Sequence, residues 1–122
     1  METKDIAAKL VDLCKKGENI QAVDTLYSPE IVSIEAQTMG QMPAEIHGVE
    51  AVRGKNVWWN ENFETHSAEV KGPFVNGDQF AVLFNYEVTG KVGPNAGQRQ
   101  KMEEVALYTA KDGKIVKEQF FY

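Results

Sequence analysis

Two glutamates far apart in the chain carry its most legible chemistry. Glu118 lies in the closing stretch KIVKEQFFY, residues 114–122. Read as a strand, this stretch points Val116, Glu118, Phe120 and Tyr122 one way, and Lys117, Gln119 and Phe121 the other. An acid thus stands on the more apolar face. Glu35 falls in a second strand-like run, EIVSIEA at 30–36, where it alternates with Ile31 and Ser33, opposite Val32 and Ile34. A carboxyl group buried among rings has a raised pKa, which prepares it for proton transfer near neutral pH. An amide (Asn56), an indole (Trp59) and the phenol of Tyr122 come from other elements, and they are expected to meet the two acids in one concavity. Phe120 would line it, and His47 is a further candidate for substrate contact.

Each group also has a plainer reading. Either glutamate would sit equally well on a wetted sheet face, or pair with a lysine or arginine. Asn56 would bond to its own helix backbone, His47 would simply begin a helix, and Trp58 and Trp59 would be core or interface. Metal chemistry is not suggested, because His47 and His66 are far apart and neither has a ligand nearby at metal-like spacing. Cys14, alone of its kind, is read as inert helix packing.

The elements that must position these groups follow from size and pattern. At 122 residues, with 43 % hydrophobic and 25 % charged side chains, the chain reads as one folded domain, 1–122. A net charge of −5 without a basic block argues against nucleic acid. The longest purely apolar run, FAVLF at 80–84, is far short of a membrane span. Lys4, Asp5 and Lys9 interrupt any leader-like apolar core, and the lone cysteine forms no intrachain disulfide, so a cytoplasmic protein is expected.

Residues 3–16 are predicted as a helix capped by Thr3, with Ile6, Leu10 and Leu13 as its stripe and Gly17 as its stop. Asn19 would cap a second helix carrying Ile20, Val23 and Tyr27, ended by Pro29. The strand 30–36 follows, then the loop QTMGQMPAEIHG at 37–48. A third helix over 49–63 has Val49, Val52, Asn56, Trp59 and Phe63 on one side. After Thr65 the period switches to two, giving strands at 67–75, 79–89, 100–110 and 115–122, with turns at NGD and KDG. Helices followed by strands mean α+β, with helices on one face of a mainly antiparallel sheet. The last strand would then be held inside the sheet and its terminal rings would be core. Whether Glu104, Ala106 and Tyr108 or Glu103, Val105 and Leu107 share the face of Glu118 depends on the last turn, because one residue of slip flips every side chain.

The stretches LYSPEIVSIEA (26–36), HGVEAVRGKNVWW (47–59), FVNGDQFAVLFNYEV (74–88) and DGKIVKEQFFY (112–122), with the element order, resemble the SnoaL-like branch of the nuclear transport factor 2-like superfamily. The resemblance spans essentially the whole chain. It implies a cone-shaped roll, with three N-terminal helices packed on a strongly curved sheet round a pocket, and often a dimer. Enzymes of the superfamily include ketosteroid isomerase, polyketide cyclases, dehydratases and epoxide hydrolases; other members only bind ligands or partners. By register, Glu35 matches the isomerase's general base, Asn56 a pocket tyrosine, and Glu118, Phe120 and Tyr122 lining positions of the last strand. Val11 stands where the oxyanion tyrosine is expected, and the protonated Asp falls near Val105, which argues against steroid isomerisation. The cyclases' His and Asp pattern is not clearly matched.

The function expected is cofactor-independent acid–base chemistry on a small organic substrate, with Glu35 as base, Glu118 and Tyr122 tuning or donating, Asn56 orienting and Trp59 forming a wall. The competing expectation is a non-catalytic ligand-binding or dimeric interaction module. A homodimer through the outer sheet face, beside Phe121, is expected in either case.

Overall fold

The computed structural model describes residues 1–38 and 41–122, so Met39 and Gly40 of the 37–48 loop lie outside the described residues. Helix α1 (Thr3–Lys15) buries Ile6, Ala7, Leu10 and Val11. Glu2, not Thr3, occupies its N-cap, and no side chain caps that end. Its other end closes as expected: Gly17 adopts φ 72°, and the Glu18 N–H reaches back to the Leu13 carbonyl at 2.9 Å.

Helix α2 (Asn19–Leu26) likewise has Glu18 rather than Asn19 at its N-cap. It ends one residue before Tyr27, which opens strand β1 (Tyr27–Ile34), so Pro29 belongs to the strand instead of terminating the helix. The α conformation is disfavoured at Ser28, just before the proline, so the chain extends early. Pro29 falls where the pairing of β1 shifts, between Tyr27 and Val32, so its missing N–H costs no ladder bond there. The short strand β2 (Glu45–His47) pairs with β1, and helix α3 (Val49–Asn62) follows.

Strands β3 (Phe63–Asn76), β4 (Gln79–Gly90), β5 (Arg99–Lys111) and β6 (Lys114–Phe121) form an antiparallel succession. The six-stranded sheet runs β2-β1-β6-β5-β4-β3, with β1 and β6 parallel and every other neighbouring pair antiparallel. The chain's last strand is therefore central. Its end is less buried than the sequence implies: Phe120 is half-buried, but Phe121 and Tyr122 are 48 % and 47 % exposed. Alternation sends Phe121 to the outer face, and Tyr122 lies beyond the end of the strand.

The face question is decided by a bulge. Asp112 and Gly113, both at positive φ, make a two-residue turn between Lys111 and Lys114. Carried on unbroken, that register would set Leu107 opposite Glu118. The pairing instead shifts between Thr109 and Ala110, so Tyr108 faces Glu118 and Ala106 faces Phe120. Glu104, Ala106 and Tyr108 accordingly share the inner face with Phe80, Val82, Phe84 and Tyr86 of β4. The helices pack on this face, and Phe80 stacks on Tyr108 at 4.9 Å within the core. Among the described residues, no helix is long and apolar enough to cross a membrane.

Candidate functional site

Helices and inner sheet face do not meet everywhere. Between them lies a cavity of about 630 Å³. Helix α1 contributes Leu10 and Cys14, α3 contributes Lys55, Asn56 and Trp59, and β4, β5 and β6 supply one face each. Glu35, Asn56, Trp59, Glu118, Phe120 and Tyr122 all line it. His47 does not. It stands exposed on β2, where its ring Nε2 lies 2.9 Å from Glu45 Oε2. Edge strand β2 leaves this side chain 65 % exposed and outside the lining of the cavity, apart from the other expected site residues.

Glu118 is only 2 % exposed, and both its oxygens are engaged. Tyr27 donates its hydroxyl to Oε1, and Ser33 Oγ donates to Oε2 at 2.7 Å. Ser33 in turn accepts from Lys55 Nζ at 2.7 Å, and that ammonium also donates to Glu35 Oε1 at 2.9 Å. The same nitrogen lies 3.9 Å from Glu118 Oε2 and 5.1 Å from the centre of the Phe120 ring. Tyr122 completes the chain by donating to Glu35 Oε2 at 3.2 Å. One lysine thus bridges two carboxylates, Glu35 just after β1 and Glu118 on β6. Such a group is costly to bury unless each charge is paired; here the side chains of Lys55, Glu35 and Glu118 are 7 %, 13 % and 2 % exposed, and the one ammonium is shared between the two carboxylates.

Burial pushes the Glu118 carboxyl above the usual carboxylate range, while Lys55 and the Tyr27 and Ser33 hydroxyls pull it back. Burial next to that charge raises the phenols of Tyr27 and Tyr108, so both remain neutral. The Cys14 thiol is pushed up to about 12 by burial and by Glu118, as fits an inert packing residue. Glu104 behaves differently. Burial, with Glu35 adding to it, lifts its carboxyl to about 7, and no hydrogen bond or ion pair among the described residues holds it.

Asn56 donates to the Val52 carbonyl at 2.9 Å, so part of its amide serves its own helix even as it lines the cavity. Trp59 stacks on Phe63 at 3.9 Å and forms a wall with it.

The family model for the SnoaL-like domain matches residues 1–122. The chain belongs to the SnoaL-like family. A protein from Mesorhizobium loti, provisionally described as a SnoaL-like polyketide cyclase with carbohydrate phosphatase as a bracketed second description, is 44 % identical. The match covers 100 % of both chains, with a TM-score of 0.91. A provisionally described SnoaL-like polyketide cyclase from Jannaschia sp. CCS1 is 20 % identical over 98 % of this chain and 83 % of its own, with a TM-score of 0.73. A hypothetical protein with a ketosteroid isomerase-like fold from Catenulispora acidiphila DSM 44928, in complex with trimethylamine, is 18 % identical over 96 % of this chain and 84 % of its own, with a TM-score of 0.71. At those last two identities the likeness is one of fold. No curated protein matches the chain.

Sequence reasoning missed four groups in this SnoaL-like protein. Lys55 follows Val52 by three residues and precedes Trp59 by four, so a lysine on an apolar helical stripe was its available signal. Ser33 shares the strand face of Ile31 and Glu35. Tyr27 was hidden by its assignment to a helix, and Glu104 by the undecided register of β5.

Proposed function

We propose that this SnoaL-like protein takes a small organic molecule into its cavity and moves a proton on it without a cofactor, with Glu35 as acceptor. The observation that carries this reading is the fixing of Glu35 from both sides, by Lys55 at 2.9 Å and Tyr122 at 3.2 Å, on the cavity wall. A preorganised base needs that kind of support. The Glu118 side chain is 2 % exposed against 13 % for Glu35, so Glu118 acts as a positioning residue that holds Lys55 and Ser33 rather than as the base. Trp59 and Phe120 hold the apolar part of the ligand, and Asn56 and Tyr122 orient its polar part. A phosphorylated sugar fits poorly, because Glu35, Glu104 and Glu118 line the cavity against one basic side chain among the described residues, Lys55.

Incubating small ketones and aldehydes with the protein in D₂O tests the proposal. Protein-dependent deuterium uptake beside the carbonyl, lost in Glu35→Gln with binding retained, is the expected result. Binding without uptake in the wild type would favour a ligand-binding module. One observation supports that second reading: every side-chain polar atom wholly shut off from solvent among the described residues already has a partner, so the Lys55 network is self-sufficient without chemistry.

We also infer a homodimer through the outer sheet face, where Val105 and Phe121 are neighbours in register and 37 % and 48 % exposed. Sedimentation should give the mass of two chains, shifting towards one in Phe121→Asp; a wild-type monomer refutes it.

A further inference from the structure

The charges in the cavity do not balance. Glu35, Glu104 and Glu118 line it, and among the described residues Lys55 is the one basic side chain that does. Lys55 is committed to Ser33, Glu35 and Glu118. Glu104, on the inner face of β5, has no such partner among the described residues and faces the same space. The remaining walls are aromatic: the stacked Trp59–Phe63 pair on one side, and Phe84 with Tyr86, 5.6 Å apart, on the sheet. An unpaired carboxylate among ring faces is a receptor for an organic cation, because the charge attracts the ligand's nitrogen and the rings accept its alkyl shell.

We propose that the molecule taken into this cavity carries a positively charged amine, with Glu104 as its counter-ion. This deepens the functional reading above and rests on the cavity being the ligand site. An anionic ligand would instead have to displace Lys55 from its two carboxylates. A neutral one would leave Glu104 unpaired.

The proposal implies a pH signature. The groups acting on Glu104 come from every neighbouring element: Glu35 after β1, Lys55 on α3, Tyr86 on β4, Tyr108 on its own strand, and Glu118 and Tyr122 at β6. The phenols are pushed above their ordinary range and stay neutral up to pH 8, whereas Glu104, at about 7, changes charge between pH 6 and 8; Glu118 is also raised by burial, and Glu104→Gln separates the two. A cation favours the ionised form, so binding should release a proton when the pH is at or below 7.

Benzyltrimethylammonium, whose charge is permanent, is a suitable probe, with neopentylbenzene as its neutral isostere and phenylacetate as an anion. Titration followed by Trp fluorescence, with Trp59 in the wall, should show the ammonium binding at least about tenfold tighter than either competitor at pH 8. Its affinity should fall about tenfold from pH 8 to pH 6 as Glu104 protonates. In Glu104→Gln the pH dependence should vanish and the preference collapse, while neopentylbenzene binding persists and reports an intact cavity; Glu104→Asp should restore the preference. Equal or tighter binding of the isostere or of phenylacetate, a flat pH profile in the wild type, or no binding of any probe overturns the proposal. Deuterium uptake dependent on Glu35 stands or falls separately, so the two failures are distinguishable.

Discussion

Glu118 and Glu104 stand on neighbouring strands and point to the same side of the sheet, yet their surroundings are opposite. Glu118 meets Tyr27, Ser33 and Lys55, brought to it by β1 and α3. Glu104 lies further along the inner face, opposite Phe84 in the ladder, and meets the open cavity. The difference teaches that burial of a carboxyl does not itself mark a reactive group. What matters is whether the covering layer supplies donors. Glu118, almost fully buried with both oxygens taken, anchors a network; Glu104, without a partner among the described residues, is available to a ligand.

The sharpest way to break this contrast is to remove the shared cation. Lys55→Met should leave Glu118 and Glu35 without their charge partner in a region only a few per cent exposed. Breaking a buried pair from one side typically costs about 3–5 kcal/mol, so the denaturant midpoint should fall steeply. Glu104 should then titrate still higher, since Lys55 pulls its pKa down. A loss below about 1 kcal/mol, the scale of an exposed pair, would mean that the network is solvated and that the two glutamates differ less than their partners imply.

Replacing the unpaired acid should do the opposite. The folded-state pKa of Glu104 is raised from 4.5 to about 7. Its contribution is therefore most favourable below pH 4.5, is lost progressively as pH rises to 7, and is constant above that. Glu104→Gln removes this penalty, so the variant should gain on wild type across that window. The ceiling is about 3 kcal/mol at pH 8, reduced because the side chain is only half-buried and solvent screens it. Chemical denaturation of both proteins at pH 4, 6 and 8 reads the gain. A variant that loses stability at pH 8 would show that Glu104 has a partner in solution, and the contrast with Glu118 would disappear.

Much of this arrangement was legible in the residues. Periodicity gave three helices and the antiparallel succession to within a few residues, and alternation set Glu118 on an inward face beside Phe120. Three things were not local. The parallel pairing of β1 with β6 joins residues about 85 positions apart, as in Ser33 opposite Glu118, and no short pattern encodes it. The bulge between Thr109 and Ala110 decides which face Glu104 takes, and a turn sequence alone leaves that open. Lys55 reads as a solvated lysine until β1 and β6 are known to lie beneath α3. Fold was visible because it rests on repeated patterns, whereas the site rests on single contacts between distant strands.

The mildest change tests the boundary of the site. His47 resembles Glu35 and Glu118 in having a charged partner close by, Glu45 at 2.9 Å, but both side chains are more than half exposed, at 65 % and 55 %. An exposed pair of this kind contributes at most about 1 kcal/mol and often nothing measurable, and surface substitutions away from special features usually stay within about 0.5 kcal/mol. His47→Ala should therefore shift the denaturant midpoint slightly or not at all. It should also leave benzyltrimethylammonium affinity and deuterium uptake at their wild-type values, because the ring lies outside the cavity wall. A large fall in ligand affinity with unchanged stability would move the binding surface out to β2, and the contrast between the two glutamates would then describe the floor of a larger site.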